Sequence, residues 1–85
     1  MKKQMAKLKV VVLGQGTHSN QRIVGISALE GSLVLQVPSY TVDYKSRLTV
    51  EITEDIDDLC LINIEHCSDG NDILMARHEL EIEDN

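Results

Sequence analysis

Cys60, His66, Cys67 and His78 are the residues whose types could bind a transition metal, but their spacing argues against it. Structural zinc is usually held by short pairs of the C-x₂₋₄-C or H-x₃₋₅-H kind, and neither spacing occurs among these four. Cys60 lies inside the aliphatic run Leu59–Ile64, where a cysteine acts as a small hydrophobe. Asp69, Asn71 and Asp72 have the composition of a calcium loop, without the twelve-residue spacing or the closing bidentate Glu such a loop requires. Their sequence, SDGND, reads more simply as a turn. Ser19, Cys60 and Cys67 could serve as nucleophiles, with His18, His66 and His78 as bases, yet no spacing assembles them into one constellation. The segment Gly14-Gln-Gly16 follows an apolar run but lacks the third glycine and the following helix of a dinucleotide fingerprint. These readings predict a non-catalytic protein with no metal and no cofactor.

Carboxylates are the abundant functional group. Net charge is −6, and it is unevenly spread: residues 1–9 carry four lysines and no acid, whereas residues 51–85 carry twelve acids against Arg77 alone. A phosphate backbone is repelled by such a second half, which argues against a nucleic-acid partner. Tyr40 and Tyr44 are the only aromatics, too few for a base-stacking platform. Solubility alone accounts for many acidic surfaces. A charge-complementary interface with a basic protein is the functional reading, and it assigns partner binding to Glu51, Glu54, Asp55, Asp57, Asp58, Glu79, Glu81 and Glu83.

The elements that must carry these residues are strands. Leu48, Val50 and Ile52 alternate with Arg47, Thr49, Glu51 and Thr53, the period of a strand with one buried face. Leu59–Ile64 is nearly all apolar and reads as a second, more fully covered strand beside it. Thr53 could cap one helical turn over Glu54–Asp58. Lys7–Leu13, with Leu8, Val10 and Val12 inward, and Gln21–Ala28, with Val24, Ile26 and Ala28 inward, are further strands. Gly25 marks a bulge or a close backbone approach. Leu33–Val37 forms another strand, ended by Pro38, and Ser39–Ser46 is either a short edge strand or an ordered loop. Ile73–Ile82 completes the series, with Leu74, Ala76, His78, Leu80 and Ile82 inward and Glu79, Glu81 and Glu83 in a row outward. Its good helix formers leave a helix as the alternative there.

Six or seven short strands predict an all-β single-domain meander over residues 7–85, closed as a barrel or packed as a sandwich, after a loose basic arm at residues 1–6. The start of the chain lacks the features of a secretory leader, and no apolar run is long enough to span a membrane, so a reducing cytoplasmic setting with two free thiols is expected. The functional expectation is a small acidic regulator or inhibitor, of a kind phages encode among others, acting on a basic surface of a partner protein. The alternatives are a homo-oligomeric assembly subunit pairing through edge strands, and a nucleic-acid-binding barrel using Lys2, Lys3, Lys7, Lys9 and Arg22. Homo-oligomerisation is expected in any case, because so short a chain with an aliphatic core gains from further burial.

Overall fold

The computed structural model describes residues 3–83. Met1 and Lys2 of the expected basic arm, and Asp84 at the end of the acidic tail, lie outside that range. The chain is all-β, with eight strands among the described residues: β1 (Gln4–Lys9), β2 (Val11–Gln15), β3 (Gln21–Ala28), β4 (Gly31–Pro38), β5 (Arg47–Ile56), β6 (Leu59–Asn63), β7 (Ile73–Ala76) and β8 (Leu80–Ile82). They form two antiparallel sheets, a large one ordered β7-β6-β5-β1-β8 and a small one ordered β2-β3-β4. β5 is the central strand of the large sheet, paired with β1 over six residue pairs and with β6 on its other side.

The count exceeds the six or seven expected because two expected strands are each broken. Lys7–Leu13 is interrupted at Val10, which is buried and leaves both ladders; its N–H donates instead to the Ser46 carbonyl at 2.9 Å. The chain therefore leaves the large sheet and enters the small one at this residue. Leu8 and Val10 are buried as expected, but Val12 is 40% exposed, because β2 is an edge strand with a partner on one side only. The strand also starts earlier than expected: Gln4, Met5 and Ala6 belong to β1, and Ala6 is fully buried. Alternation from Ala6 through Leu8 explains that docking; lysine content alone was a poor guide to where the arm ends.

Ile73–Ile82 is the second broken strand, and neither a continuous strand nor a helix forms there. A single 3₁₀ turn over Arg77–Glu79 separates β7 from β8. Ile73 and Met75 face the core on β7, while Leu80 does so on β8, so the expected inward set Leu74, Ala76 and His78 is out of phase before the turn. The segment Ser39–Thr41 is likewise a 3₁₀ turn, followed by a lone bridge from Val42 to Leu48 rather than an edge strand. Gly25 pairs regularly with Val11 and Val34, and the bulge lies on β2 between Val12 and Gly14, across from Val24 and Ile23.

One aliphatic core joins the sheets. Leu48, Val50, Ile62 and Ala6 of the large sheet pack in the same buried cluster as Val24, Ile26, Leu35 and Val37 of the small one. Both tyrosines stay outside it. Branched aliphatics suit this interior, since their stiff side chains pack well on a pleated surface. A backbone bond from Leu29 N–H to the Leu74 carbonyl, 3.1 Å, ties the β3–β4 turn to β7.

Candidate protein-interaction surface

The eight carboxylates assigned to partner binding are carried on two separate elements. Glu51, Glu54, Asp55, Asp57 and Asp58 lie on or beside the β5–β6 hairpin. No helical turn forms between the strands: β5 continues to Ile56, and only Asp57 and Asp58 make the turn. Asp57 takes the left-handed backbone region, φ 55°, which aspartate tolerates better than most residues.

A register shift between Ile52 and Glu54 decides how this hairpin presents its side chains. Ile52 faces Ile62 across the ladder, both toward the core. Strict alternation would then turn Glu54 and Ile56 inward with Ile52. Thr53 is instead the extra residue of a β-bulge, its hydroxyl donating to the Leu61 carbonyl at 3.2 Å. Beyond it the phase is reversed. Asp55 pairs with Cys60 on the core side, while Glu54 pairs with Leu61 and Ile56 with Leu59 on the outer side. Ile56 is 58% and Leu59 37% exposed. The tip thus shows two directly opposed aliphatic side chains ringed by Glu54, Asp57 and Asp58.

Asp55 is turned away from this ring and is engaged. Its Oδ2 accepts from Arg77 Nη1, and its Oδ1 from the Cys60 thiol at 3.7 Å. The Arg77 guanidinium holds the Asp55 carboxyl below its usual range, against a smaller opposing effect of burial. Burial, with the Asp55 charge behind it, pushes the Cys60 thiol up, so this cysteine is a poor nucleophile. Arg77 also donates its backbone N–H to the Asp58 carbonyl at 2.7 Å, anchoring the 3₁₀ turn to the hairpin.

The second group does not form the expected regular row. Glu79 sits in the 3₁₀ turn, Glu81 on β8 and Glu83 just after it. Glu81 lies opposite Lys7 in register and pairs with Arg47 at 2.8 Å. Lys9 and Lys45 border the same depression, with Glu79 at its rim. Arg47 is further held by Asp43, whose carboxylate also accepts the Lys45 and Arg47 backbone N–H groups at 2.9 and 3.0 Å. Burial raises the Asp43 carboxyl, but these bonds outweigh it and leave the group more acidic than usual. This end of the large sheet is charge-balanced, whereas the hairpin end gathers Glu54, Asp55, Asp57 and Asp58 against Arg77.

Glu51 extends the acidic surface along the outer face of β5 toward a shallow depression of about 350 Å³ that it shares with Lys3, Tyr40, Asn63 and Glu65. The Tyr40 hydroxyl donates to Glu65 Oε2 at 3.1 Å. The candidate nucleophiles and bases are not brought together: Ser19 and His18 are exposed in the β2–β3 loop, His66 and His78 are exposed in turns, and Cys60 and Cys67 are buried free thiols. Among the described residues no three His, Cys, Asp or Glu side chains cluster so as to hold a metal ion. In the suspected calcium loop, Asp72 N–H donates to Asn63 Oδ1 at 2.8 Å and Asn71 Nδ2 to the Ser68 carbonyl at 3.4 Å, bonds that close a turn. Sequence reasoning found the tip carboxylates and missed Ile56 and Leu59 as surface residues; the signal would have been an apolar residue directly before and directly after a two-residue acidic turn. No helix is long and apolar enough to cross a membrane among the described residues. No family model, curated protein or solved structure matches this chain.

Proposed function

We propose that this chain is a non-catalytic cytoplasmic binding protein, a small regulator or inhibitor that meets a basic surface of a partner protein with the tip of its β5–β6 hairpin. The observation that carries the reading is the bulge at Thr53, which exposes Ile56 and Leu59 inside a ring of Glu54, Asp57 and Asp58. Apolar contacts desolvated at the centre, surrounded by polar groups that set orientation, are the usual anatomy of a protein interface. The carboxylates would speed encounter with a basic partner, and the two aliphatic side chains would slow its departure. Glu51 prolongs the acidic surface on the same face; Asp55 contributes by fixing the hairpin; Glu79, Glu81 and Glu83 are peripheral to the contact. The same reading takes the architecture as a sandwich of a large and a small sheet joined at the Val10 corner, which leaves the hairpin tip projecting from one end.

The test is capture from a lysate of the expressing cells at low and at high salt. The tagged wild type and a Glu54→Gln, Asp57→Asn, Asp58→Asn variant are compared, the amides keeping shape and turn preference. A basic protein retained by the wild type at low salt, released at high salt and missed by the variant supports the proposal. Capture of the same proteins by both sinks it.

A further inference from the structure

We infer that two copies of this chain associate through their β4 strands, joining their small sheets edge to edge into one six-stranded antiparallel sheet. The inference begins with an accounting of sheet edges, each a row of unpaired backbone groups ready to add a strand. Four strands are terminal in their sheets: β7, β8, β2 and β4. β8 is three residues long. β7 is four residues long, and its Leu74 carbonyl is already bonded by Leu29 N–H. β2 carries the bulge at Val12/Gly14. Shortness, covering and bulges are the devices that keep edges from pairing. β4 has none of them. It runs for eight residues, pairs in unbroken register with β3 from Gly31 to Pro38, and contains no charged residue; its proline is its last residue.

Electrostatics select a second copy as the occupant. An isologous contact sets each patch against itself, so any net charge in it is repelled. The chain carries −6, yet from Val10 to Val42 its charged side chains are Arg22 and Glu30 alone. The small sheet is therefore the part of the molecule that a copy can approach without charge opposing charge. Glu30 sits at one end of β4, and antiparallel pairing about a two-fold axis near Val34 puts the two Glu30 side chains at opposite ends of the seam. Beside the edge, the outer face of the small sheet is apolar at its middle, with Ser27 and Ser32 towards one end and Lys9 and Glu79, of opposite charge, at the border of its trough. Val34, 66% exposed, faces outward next to Gly25, with Leu13 and Val11 beyond it around an open trough. Pairing β4 with β4 makes the two troughs continuous and covers the most exposed part of each. Eight residues of strand extend about 27 Å, and an edge-to-edge seam of that length and one strand's width is small, below the ~1,200 Å² lower limit of standard interfaces. The expected dissociation constant is accordingly micromolar.

Sedimentation velocity from low micromolar to near-millimolar concentration tests this. The wild type should pass from monomer to dimer over that range, and more readily at high salt, which screens the −6 charges; partner capture through the hairpin should weaken under the same change. Val34→Lys should remain monomeric with an unaltered melting temperature, and so should Val34→Glu, while an equimolar mixture of the two should dimerise. Leu13→Lys, two strands away, should dimerise as the wild type does. A wild type that stays monomeric throughout overturns the inference, as does a Val34→Lys variant that still dimerises. Loss of the dimer in Leu13→Lys alone would assign the seam to β2, and a foreign chain co-purifying with monomeric wild type and released by Val34→Lys would replace the second copy as occupant. Either result overturns self-pairing through β4.

Discussion

Asp55 and Gly70 are two single residues whose contacts tie loops to the fold. Asp55 is more acidic in the folded chain than in the unfolded one, first because Arg77 bonds it. Its contribution to stability is therefore complete above the ordinary aspartate range near ~3.9 and is lost as pH falls through its lower folded value. Urea unfolding measured against pH should show Asp55→Asn less stable than wild type at neutral pH, with the gap closing below about pH 4. A gap that persists unchanged in acid would mean that the pair with Arg77 is not its source. Gly70 closes the loop before β7: its N–H donates to the Cys67 carbonyl at 3.0 Å, and its carbonyl accepts from Ile64 N–H at 2.7 Å. A β-carbon there would lie 2.8 Å from Ile64 Cβ and 3.1 Å from Cys67 Sγ. Both neighbours are buried, so Gly70→Ala should cost about 1–3 kcal/mol, the range for forcing an extra methyl into a packed interior. Thermal denaturation with no change would contradict that. The sequence showed Gly70 as part of a turn; the contact with Ile64 and Cys67 depends on how the loop folds back, which no local pattern records.

At the scale of elements, the bulge at Thr53 governs the hairpin. Deleting Thr53 should remove the bulge and leave a regular ladder in which Glu54, Asp55 and Ile56 keep Leu61, Cys60 and Leu59 as partners, so Asp55 stays on the core side and Ile56 outside. The Asp55–Arg77 pair and the apolar tip should both survive, so the deletion variant should still capture the partner; loss of capture in a folded deletion variant would contradict the assignment of Thr53 as the extra residue. Ile56→Asp, at an exposed position, should leave the melting temperature within about a degree or two, as surface changes usually do, and still weaken binding. The strand itself was legible, since Leu48, Val50 and Ile52 announce their buried face. Its continuation was not: the acids after Thr53 have equally good reasons to cap a helical turn, and a bulge leaves no mark on residue types. The breaks at Val10 and Arg77–Glu79 were hidden for a related reason. Each lies within a run whose alternation looks continuous, and the decision to leave the sheet is made by packing against distant strands. Of the eight assigned carboxylates, the tip set was legible as a dense local cluster. The pairing of Glu81 with Arg47 joins residues 34 apart and was not.

The whole molecule is a strand-built shell around aliphatic side chains, with its charge sorted by face. Far-UV circular dichroism should be dominated by strand, and Leu80→Asp should unfold the chain, because Leu80 is buried and an aspartate there has no partner to offset its desolvation. A folded Leu80→Asp variant would contradict the packing of β8 on the core. The sorting of charge is the ground on which the two associations are proposed: the small sheet, with few charges, for a second copy, and the acidic hairpin tip for a basic partner. The most direct measurement of the second assignment is the association rate of the captured partner with wild type and with the Glu54→Gln, Asp57→Asn, Asp58→Asn variant, across a series of salt concentrations. Steering by charge acts on the rate of encounter and is screened by salt. The variant should associate at least several-fold more slowly at low salt, and the two rates should converge as salt rises. Equal rates at low salt would contradict the account.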